Sequence, residues 1–259
     1  MIAAESRRKE VFRMEMICNF KRIEKKYLLS EKQYEALFRR AGFHLKPDEY
    51  GRSTVMSLYL DTPDHRIIRN SIEAINYKEK LRLRSYGTAT PESTVFLELK
   101  KKLGGVVYKR RSAMTLTQAC SYLQQKEKPF DTQIMSEIDW AMRFYRWPEP
   151  VILIACEREA WYDDDHPDLR LTFDRNIRYR ENDLSFRHAY AGTPLLPDNT
   201  VLLEIKTAGA MPLWLADALD RGNILPCSFS KYGTAYTCSQ LEKQIISLQK
   251  GDNKNVVNF

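Results

Sequence analysis

Charged and apolar residues alternate at a period of two in segment after segment of this chain, and that regularity constrains the fold more than any other feature. In an extended strand, residues i, i+2 and i+4 share one face. In residues 20–28, Arg22, Glu24 and Lys26 share a face, with Ile23, Lys25 and Tyr27 on the other. Lys80, Arg82 and Arg84 oppose Leu81 and Leu83, and Phe96, Glu98 and Lys100 oppose Val95, Leu97 and Leu99. Arg170, Thr172 and Asp174 oppose Leu169, Leu171 and Phe173, while Leu202, Glu204 and Lys206 oppose Val201, Leu203 and Ile205. Arg158 falls on the face of Ile152 and Ile154. A single strand of this kind reads as one solvated face. Here Glu-x-Lys recurs three times, as Glu24/Lys26, Glu98/Lys100 and Glu204/Lys206, and Arg82-x-Arg84 joins it. If the sheet closes on itself, these side chains converge on one lumen and the apolar faces pack outward against helices.

Period-two patterning predicts strands over 19–29, 54–61, 78–86, 94–102, 106–112, 151–161, 169–174, 177–180 and 201–207. Helical spacing predicts helices over 115–125, 132–145, 213–221 and 230–248, and Ser30 with Gln33 forms a capping box ahead of Tyr34, Leu37 and Ala41. The expected fold is α+β: an eight-stranded, mostly antiparallel closed β-barrel with helices packed outside. The absence of a Pro-, Gly- or Ser-rich linker predicts one domain over 17–247, with a flexible leader (1–16) and tail (248–259).

Lys and Arg number 41 against 34 Asp and Glu, a net charge of +7. That surplus suits an anionic partner without choosing one. Five scattered cysteines with no CxxC spacing and four scattered histidines predict reduced thiols, no zinc motif and a cytoplasmic protein. The longest apolar run, 151–156, is far below the roughly 20 residues of a membrane span. Tyr86, Tyr108 and Phe173 offer stacking surfaces for a nucleic acid, but the aromatic residues fall mostly on apolar faces and read as core. Asp163-Asp164-Asp165 before Pro167 reads as a hairpin tip, not a metal cluster.

A lumen holding Lys26, Arg82, Arg84, Lys100, Lys109, Arg158, Arg170 and Lys206 would repel itself unless a polyanion filled it. Two like charges ~6 Å apart cost roughly 3 kcal/mol at an effective dielectric of ~20. Guanidinium forks match phosphate oxygens. Glu24, Glu98, Asp174 and Glu204 offset part of the charge and supply the all-oxygen ligation that suits Mg²⁺ or Mn²⁺.

The segments Arg22-Ile23-Glu24-Lys25-Lys26-Tyr27, Ser57-Leu58-Tyr59-Leu60-Asp61-Thr62, Lys80-Leu81-Arg82-Leu83-Arg84, Leu97-Glu98-Leu99-Lys100, Tyr108-Lys109-Arg110-Arg111, Leu203-Glu204-Ile205-Lys206 and Ser230-Lys231-Tyr232 occur in that order. Together they resemble the VTC domain, the polyphosphate polymerase branch of the triphosphate tunnel metalloenzymes, within the CYTH-like superfamily. The resemblance implies an eight-stranded tunnel, a divalent metal (Mn²⁺ or Mg²⁺), and transfer of the terminal phosphate of ATP or another nucleoside triphosphate to pyrophosphate or a growing polyphosphate chain. By position it implies that Lys26, Arg82, Arg84, Lys100, Arg158, Arg170 and Lys206 hold phosphates. Lys109, Tyr27, Ser230 and Lys231 would contact substrate, and Glu204, Glu24, Glu98 and Asp174 would ligate metal. Register decides which of Lys109, Arg110 and Arg111, and which of Arg175 and Arg178, point inward.

Within the superfamily the opening motif is Glu-x-Glu-x-Lys; here Arg22 replaces the first acid, which favours the polymerase branch and leaves one fewer acid for a second metal. Any coupling of synthesis to membrane export would come from another protein, a membrane-protein partner among the options, or be absent. No Ser-His-Asp set, Cys-His set or Walker loop is visible. Hydrolysis of inorganic triphosphate or nucleotide, and polyphosphate binding without catalysis, are the alternative readings.

Overall fold

The computed structural model describes residues 23–252, apart from residues 75, 105 and 190. The expected leader (1–16), Cys18, Arg22 and the end of the expected tail (253–259) lie outside the described residues.

The elements run β1 (Ile23–Ser30), α1 (Glu31–Ala41), β2 (Lys46–Asp61), α2 (Arg66–Glu73), β3 (Tyr77–Tyr86), β4 (Thr94–Leu103), β5 (Val106–Thr115), α3 (Leu116–Gln125), α4 (Gln133–Phe144), β6 (Glu149–Tyr162), β7 (Arg170–Arg180), β8 (Thr193–Pro194), β9 (Thr200–Thr207), α5 (Leu213–Arg221), β10 (Pro226–Cys227) and α6 (Lys231–Asp252). One antiparallel sheet carries them in the order β10-β1-β9-β7-β6-β2-β3-β4-β5, with β8 on β7. The two segments expected over 169–174 and 177–180 are one strand, β7, which passes an irregularity opposite Ala155 and Glu157. β2 begins eight residues earlier than its alternation suggests, because a register break between Pro47 and Arg52 hides the pattern.

The sheet curls, but it does not close. The expected closed barrel is corrected on this point: β1 and β5 do not pair with each other. Two residues of the outer edge of β1 pair with β10, Lys26 opposite Cys227 and Tyr27 opposite Pro226. Pro226 has no N–H to offer a further strand. The curl nevertheless brings the two ends of the strand order within reach of each other, since Lys100 Nζ on β4 donates to Glu24 Oε2 on β1 at 3.2 Å.

The alternation is resolved into an apolar outer face and a charged inner one. Outside, Leu58, Leu81, Leu83, Leu97 and Leu99 pack under α3 and α4 through Ala119, Tyr122, Met135, Ile138 and Met142. Leu171, Phe173, Leu203 and Ile205 pack under α1 and α5 through Leu37, Ala41, Leu215 and Leu219. Full burial of each such side chain stabilises by about 1.5–3 kcal/mol. The α1 capping box forms as its sequence demands: Ser30 Oγ accepts from the Gln33 N–H at 3.3 Å, and the Ser30 N–H donates to Gln33 Oε1 at 3.0 Å. Thr115 and Gln118 repeat the device on α3.

Inside, one end of the curl is filled. Val55, Tyr59, Ile152, Ile154, Ile177 and Leu202 pack against Ile68 of α2 and against Tyr232 and Ala235 of α6. The ring of Tyr232 stacks on Tyr59 at 4.3 Å. Asp61 joins the pieces: Oδ1 accepts from the Ile67 N–H at 2.8 Å, Oδ2 accepts from the Ile68 N–H at 3.0 Å, and the Tyr232 hydroxyl donates to Oδ2 at 2.7 Å. α6 therefore enters the curl as a plug, and its first residue, Lys231, reaches the charged space above.

Candidate phosphate-binding tunnel

A cavity of about 510 Å³ occupies the concave side of the sheet. Ten basic side chains line it among the described residues: Lys26, Lys80, Arg82, Arg84, Lys100, Lys109, Arg111, Arg158, Lys206 and Lys231. Four carboxylates, Glu24, Glu98, Asp174 and Glu204, oppose them, so six positive charges remain when all ten are protonated.

The antiparallel registers explain the convergence. Arg82 sits opposite Glu98, and Glu98 sits opposite Arg111. Glu98 is fully buried, and its two oxygens organise this wall. Oε2 accepts from Arg82 Nε at 2.7 Å and lies 3.9 Å from Arg84 Nε. Oε1 accepts from Arg111 Nε at 2.6 Å and pairs with Lys109 at 2.8 Å. Burial alone would raise the Glu98 pKa, but the Arg82, Arg84 and Lys109 charges hold it far below the usual carboxylate range.

On the facing wall, Arg158 grips Asp174 with two bonds, Nε to Oδ1 at 2.6 Å and a terminal nitrogen to Oδ2 at 2.7 Å. Lys231 lies 2.5 Å from Asp174 Oδ2 and 3.2 Å from Glu204 Oε1. Lys26 lies 3.4 Å from Glu24 and 3.7 Å from Glu204, and Lys206 lies 3.5 Å from Glu204 Oε2. Burial raises the Glu24 pKa and Glu204 adds to that, yet Lys100, Lys206 and Lys26 bring it down to about 2. Glu204 is likewise held well below its ordinary value, against its burial, by Lys231, Lys206 and Lys26.

At the plugged end, Lys80 Nζ donates to Ser230 Oγ at 2.8 Å and Lys26 Nζ donates to the Phe229 carbonyl at 2.8 Å. Burial pushes the Lys80 ammonium down to about 8, and burial does the same to Lys109 despite Glu98. Tyr59 opposes its own burial: Arg82 and Lys80 draw its hydroxyl down to about 8.

The structure brings most of the sequence-predicted residues together. Lys26, Arg82, Arg84, Lys100, Lys109, Arg158, Lys206 and Lys231 line the cavity with Glu24 and Glu204, and Ser230 touches it through Lys80. Two residues are placed elsewhere. Tyr27 has the opposite parity to Lys26 and is buried in the outer core beside Leu29 and Leu37. Arg170 is exposed beyond the cavity, its guanidinium over the Tyr162 ring at 5.2 Å. Register also resolves the ambiguous basic residues. Lys109 and Arg111 face in, while Arg110 faces out to Glu137 at 2.6 Å. Arg175 faces out to Glu31, and Arg178 donates to the Gly192 carbonyl.

Among the polar lining residues, Lys80, Tyr59 and Ser57 stand outside the sequence-derived set of site residues, and Arg111 stands in it only as a register alternative to Lys109. Parity with Arg82 marks Lys80, and parity with Lys109 marks Arg111. The aromatic expectation divides as well. Phe173 is core, whereas Tyr86 and Phe96 share the parity of the inward cations, and Tyr86 is 46% exposed.

Among the described residues no three His, Cys, Asp or Glu side chains cluster for a metal. Glu98 and Asp174 have their oxygens engaged by guanidinium and ammonium groups. Glu24 and Glu204 are engaged too, but only by the ammonium groups of Lys26, Lys100, Lys206 and Lys231, none nearer than 3.2 Å and so looser than the guanidinium bonds on Glu98 and Asp174, and the two carboxylates are close enough to perturb each other electrostatically. Two carboxylates suffice for Mg²⁺ or Mn²⁺ when substrate phosphates and water complete the shell, so this pair fits.

A family model described as the VTC domain matches residues 21–240. The chain belongs to the VTC domain family. Among solved structures, a putative adenylate cyclase from Bacillus halodurans aligns at 15% identity and a TM-score of 0.51, covering 80% of this VTC domain chain and 92% of its own. A putative adenylate cyclase from Vibrio parahaemolyticus aligns at 12% identity and 0.42, covering 84% and 98%. A protein from Pyrococcus horikoshii OT3 aligns at 11% and 0.45, covering 85% and 98%. The first likeness bears on the fold alone, and the other two are too loose to carry an argument. No curated protein matches the sequence significantly. No helix among the described residues is long and apolar enough to cross a membrane.

Proposed function

We propose that this VTC domain is a metal-dependent polyphosphate polymerase that moves the terminal phosphate of a nucleoside triphosphate onto a polyphosphate chain. The observation that carries the reading is the surplus of six positive charges in one cavity with a carboxylate pair on its wall. In the reaction, an anionic oxygen at the end of the acceptor attacks the γ-phosphorus, the bond from that phosphorus to the β-bridging oxygen breaks, and nucleoside diphosphate leaves. The acceptor oxygen is already deprotonated near neutral pH, so no general base is required. Phosphoryl transfer of this kind depends on position and charge.

Arg82, Arg84, Lys109 and Arg111, aligned by Glu98, would hold donor phosphates and oppose charge on the equatorial oxygens. Arg158 and Lys231, fixed by Asp174, would hold the other reacting phosphate. Glu24 and Glu204 would hold Mn²⁺ or Mg²⁺, which when bound neutralises phosphate charge and polarises the transferring group. The test is incubation of the purified protein with ATP and Mn²⁺, followed by a polyphosphate gel. A ladder supports the polymerase; free phosphate without a ladder replaces it with the hydrolase; bound but unconsumed nucleotide replaces it with a polyphosphate-binding module.

A further inference from the structure

A polyphosphate chain has no apolar surface, yet the charged inner face ends in aromatic rings. Along β3 the inward positions are Lys80, Arg82, Arg84 and then Tyr86, at steps of about 7 Å. Along the neighbouring β4 they are Lys100, Glu98 and then Phe96, and Arg84 sits opposite Phe96. The two antiparallel strands therefore place their aromatic residues at the same end. Tyr86 and Phe96 meet edge to face, with centroids 5.7 Å apart and an interplanar angle of 76°. Arg111 covers Phe96 at 4.5 Å from the ring centroid and donates to the Tyr86 hydroxyl at 2.9 Å. The Tyr86 ring is thus held in orientation by two neighbours while 46% of the residue stays open to solvent. The Arg111 guanidinium also lies over the Tyr86 ring, 5.8 Å from its centroid, and the half-exposed ring sits two residues along the strand from Arg84.

We infer that Tyr86 is the stacking platform for the base of the nucleoside triphosphate donor, with its triphosphate running inward over Arg84 and Arg82. Phe96 braces the platform and Arg111 links it to the phosphate wall. This rests on the proposed use of a nucleotide donor and deepens it: recognition of the base is separate from recognition of the phosphates. Stacking is tolerant of base identity because every base has a π-face. The donor class is therefore nucleoside triphosphates in general, with a preference for the purines, which offer the larger face. With the base at this rim, the terminal phosphate points into the cavity.

Calorimetry with ATP and with tripolyphosphate, at fixed Mg²⁺, separates the two contributions. Tyr86→Ala is expected to weaken ATP roughly tenfold, the scale of one base–aromatic stack, and to leave tripolyphosphate within about twofold. Tyr86→Phe is expected to match wild type with both ligands. Equal loss of both ligands in Tyr86→Ala, repeated in Tyr86→Phe, would mean that the hydroxyl merely holds Arg111 and would overturn the inference. Unchanged ATP affinity in Tyr86→Ala would overturn it as well. Should Tyr86→Ala not fold, Tyr86→Leu keeps the bulk without the π-face and carries the same expectations. Wild type that binds tripolyphosphate but not ATP would instead defeat the nucleotide-donor reading, and the base platform with it; that failure is visible before any variant is made.

Discussion

Neutralising Glu98 should make the empty protein less stable and the anion-bound protein relatively more favoured. The carboxylate is buried and bonds or pairs with Arg82, Lys109 and Arg111 within 2.8 Å, with Arg84 at 3.9 Å. Glu98→Gln keeps the shape but turns an amide N–H toward a guanidinium. Breaking a buried ion pair of this kind costs about 3–5 kcal/mol, a large share of a domain stability of ~5–15 kcal/mol. The same change removes one negative charge from the neighbourhood of a bound phosphate. At ~8 Å and an effective dielectric of ~20, that charge is worth about 2 kcal/mol, or roughly thirtyfold in affinity. At tripolyphosphate a hundredfold above the wild-type Kd, ligand stabilisation is ~2.7 kcal/mol for wild type and about 2 kcal/mol more for the variant. Urea unfolding of both proteins, with and without tripolyphosphate, reads both quantities. The reasoning is refuted if the variant is as stable as wild type when empty, or if its tripolyphosphate affinity is unchanged or weaker.

Glu204→Gln is expected to remove Mn²⁺-dependent turnover while the circular dichroism spectrum keeps its native form; wild-type turnover would exclude Glu204 from the metal role. Arg82→Ala or Arg84→Ala should weaken tripolyphosphate by roughly tenfold or more, the value of a lost charge-assisted bond, and unchanged calorimetric affinity would leave these arginines outside the phosphate grip. Lys80 and Lys109 titrate near 8 in the folded chain against an ordinary value near 10.5, so the unfolded chain binds more protons between those limits. Their contribution to the stability of the empty protein therefore rises as pH climbs from 8 to 10.5, while tripolyphosphate affinity falls through pH 8 as the two charges are lost. Ionisation of Tyr59 near 8 pushes both trends the same way, and tripolyphosphate affinity that is flat from pH 7 to 9 in calorimetry would contradict the assignment of these groups to the phosphate wall.

What could be read from the sequence, and what could not, divides along a physical line. Side-chain parity is local: once a strand is recognised, Lys80, Arg82 and Arg84 must share a face, and the inward cations follow. Capping at Ser30 and Thr115 is equally local, since donor and acceptor lie three residues apart. Helix α2 was missed because its cap is not local. His65, at its N-terminus, has φ of 55° and no side-chain cap; the Ile67 and Ile68 N–H groups donate to Asp61 on the preceding strand and the Arg66 N–H donates to Thr62 Oγ1. Strand–strand closure is less local still. The alternation that predicts a lumen is the same for a closed barrel and for an open curl; in this chain Lys26 and Tyr27 on the edge of β1 pair with Pro226 and Cys227 of β10 rather than with β5. Nothing in β1 or β5 announces that competitor. α6 starts four residues after β10, and that short link sets Lys231 in the cavity, where Asp174 and Glu204 receive it.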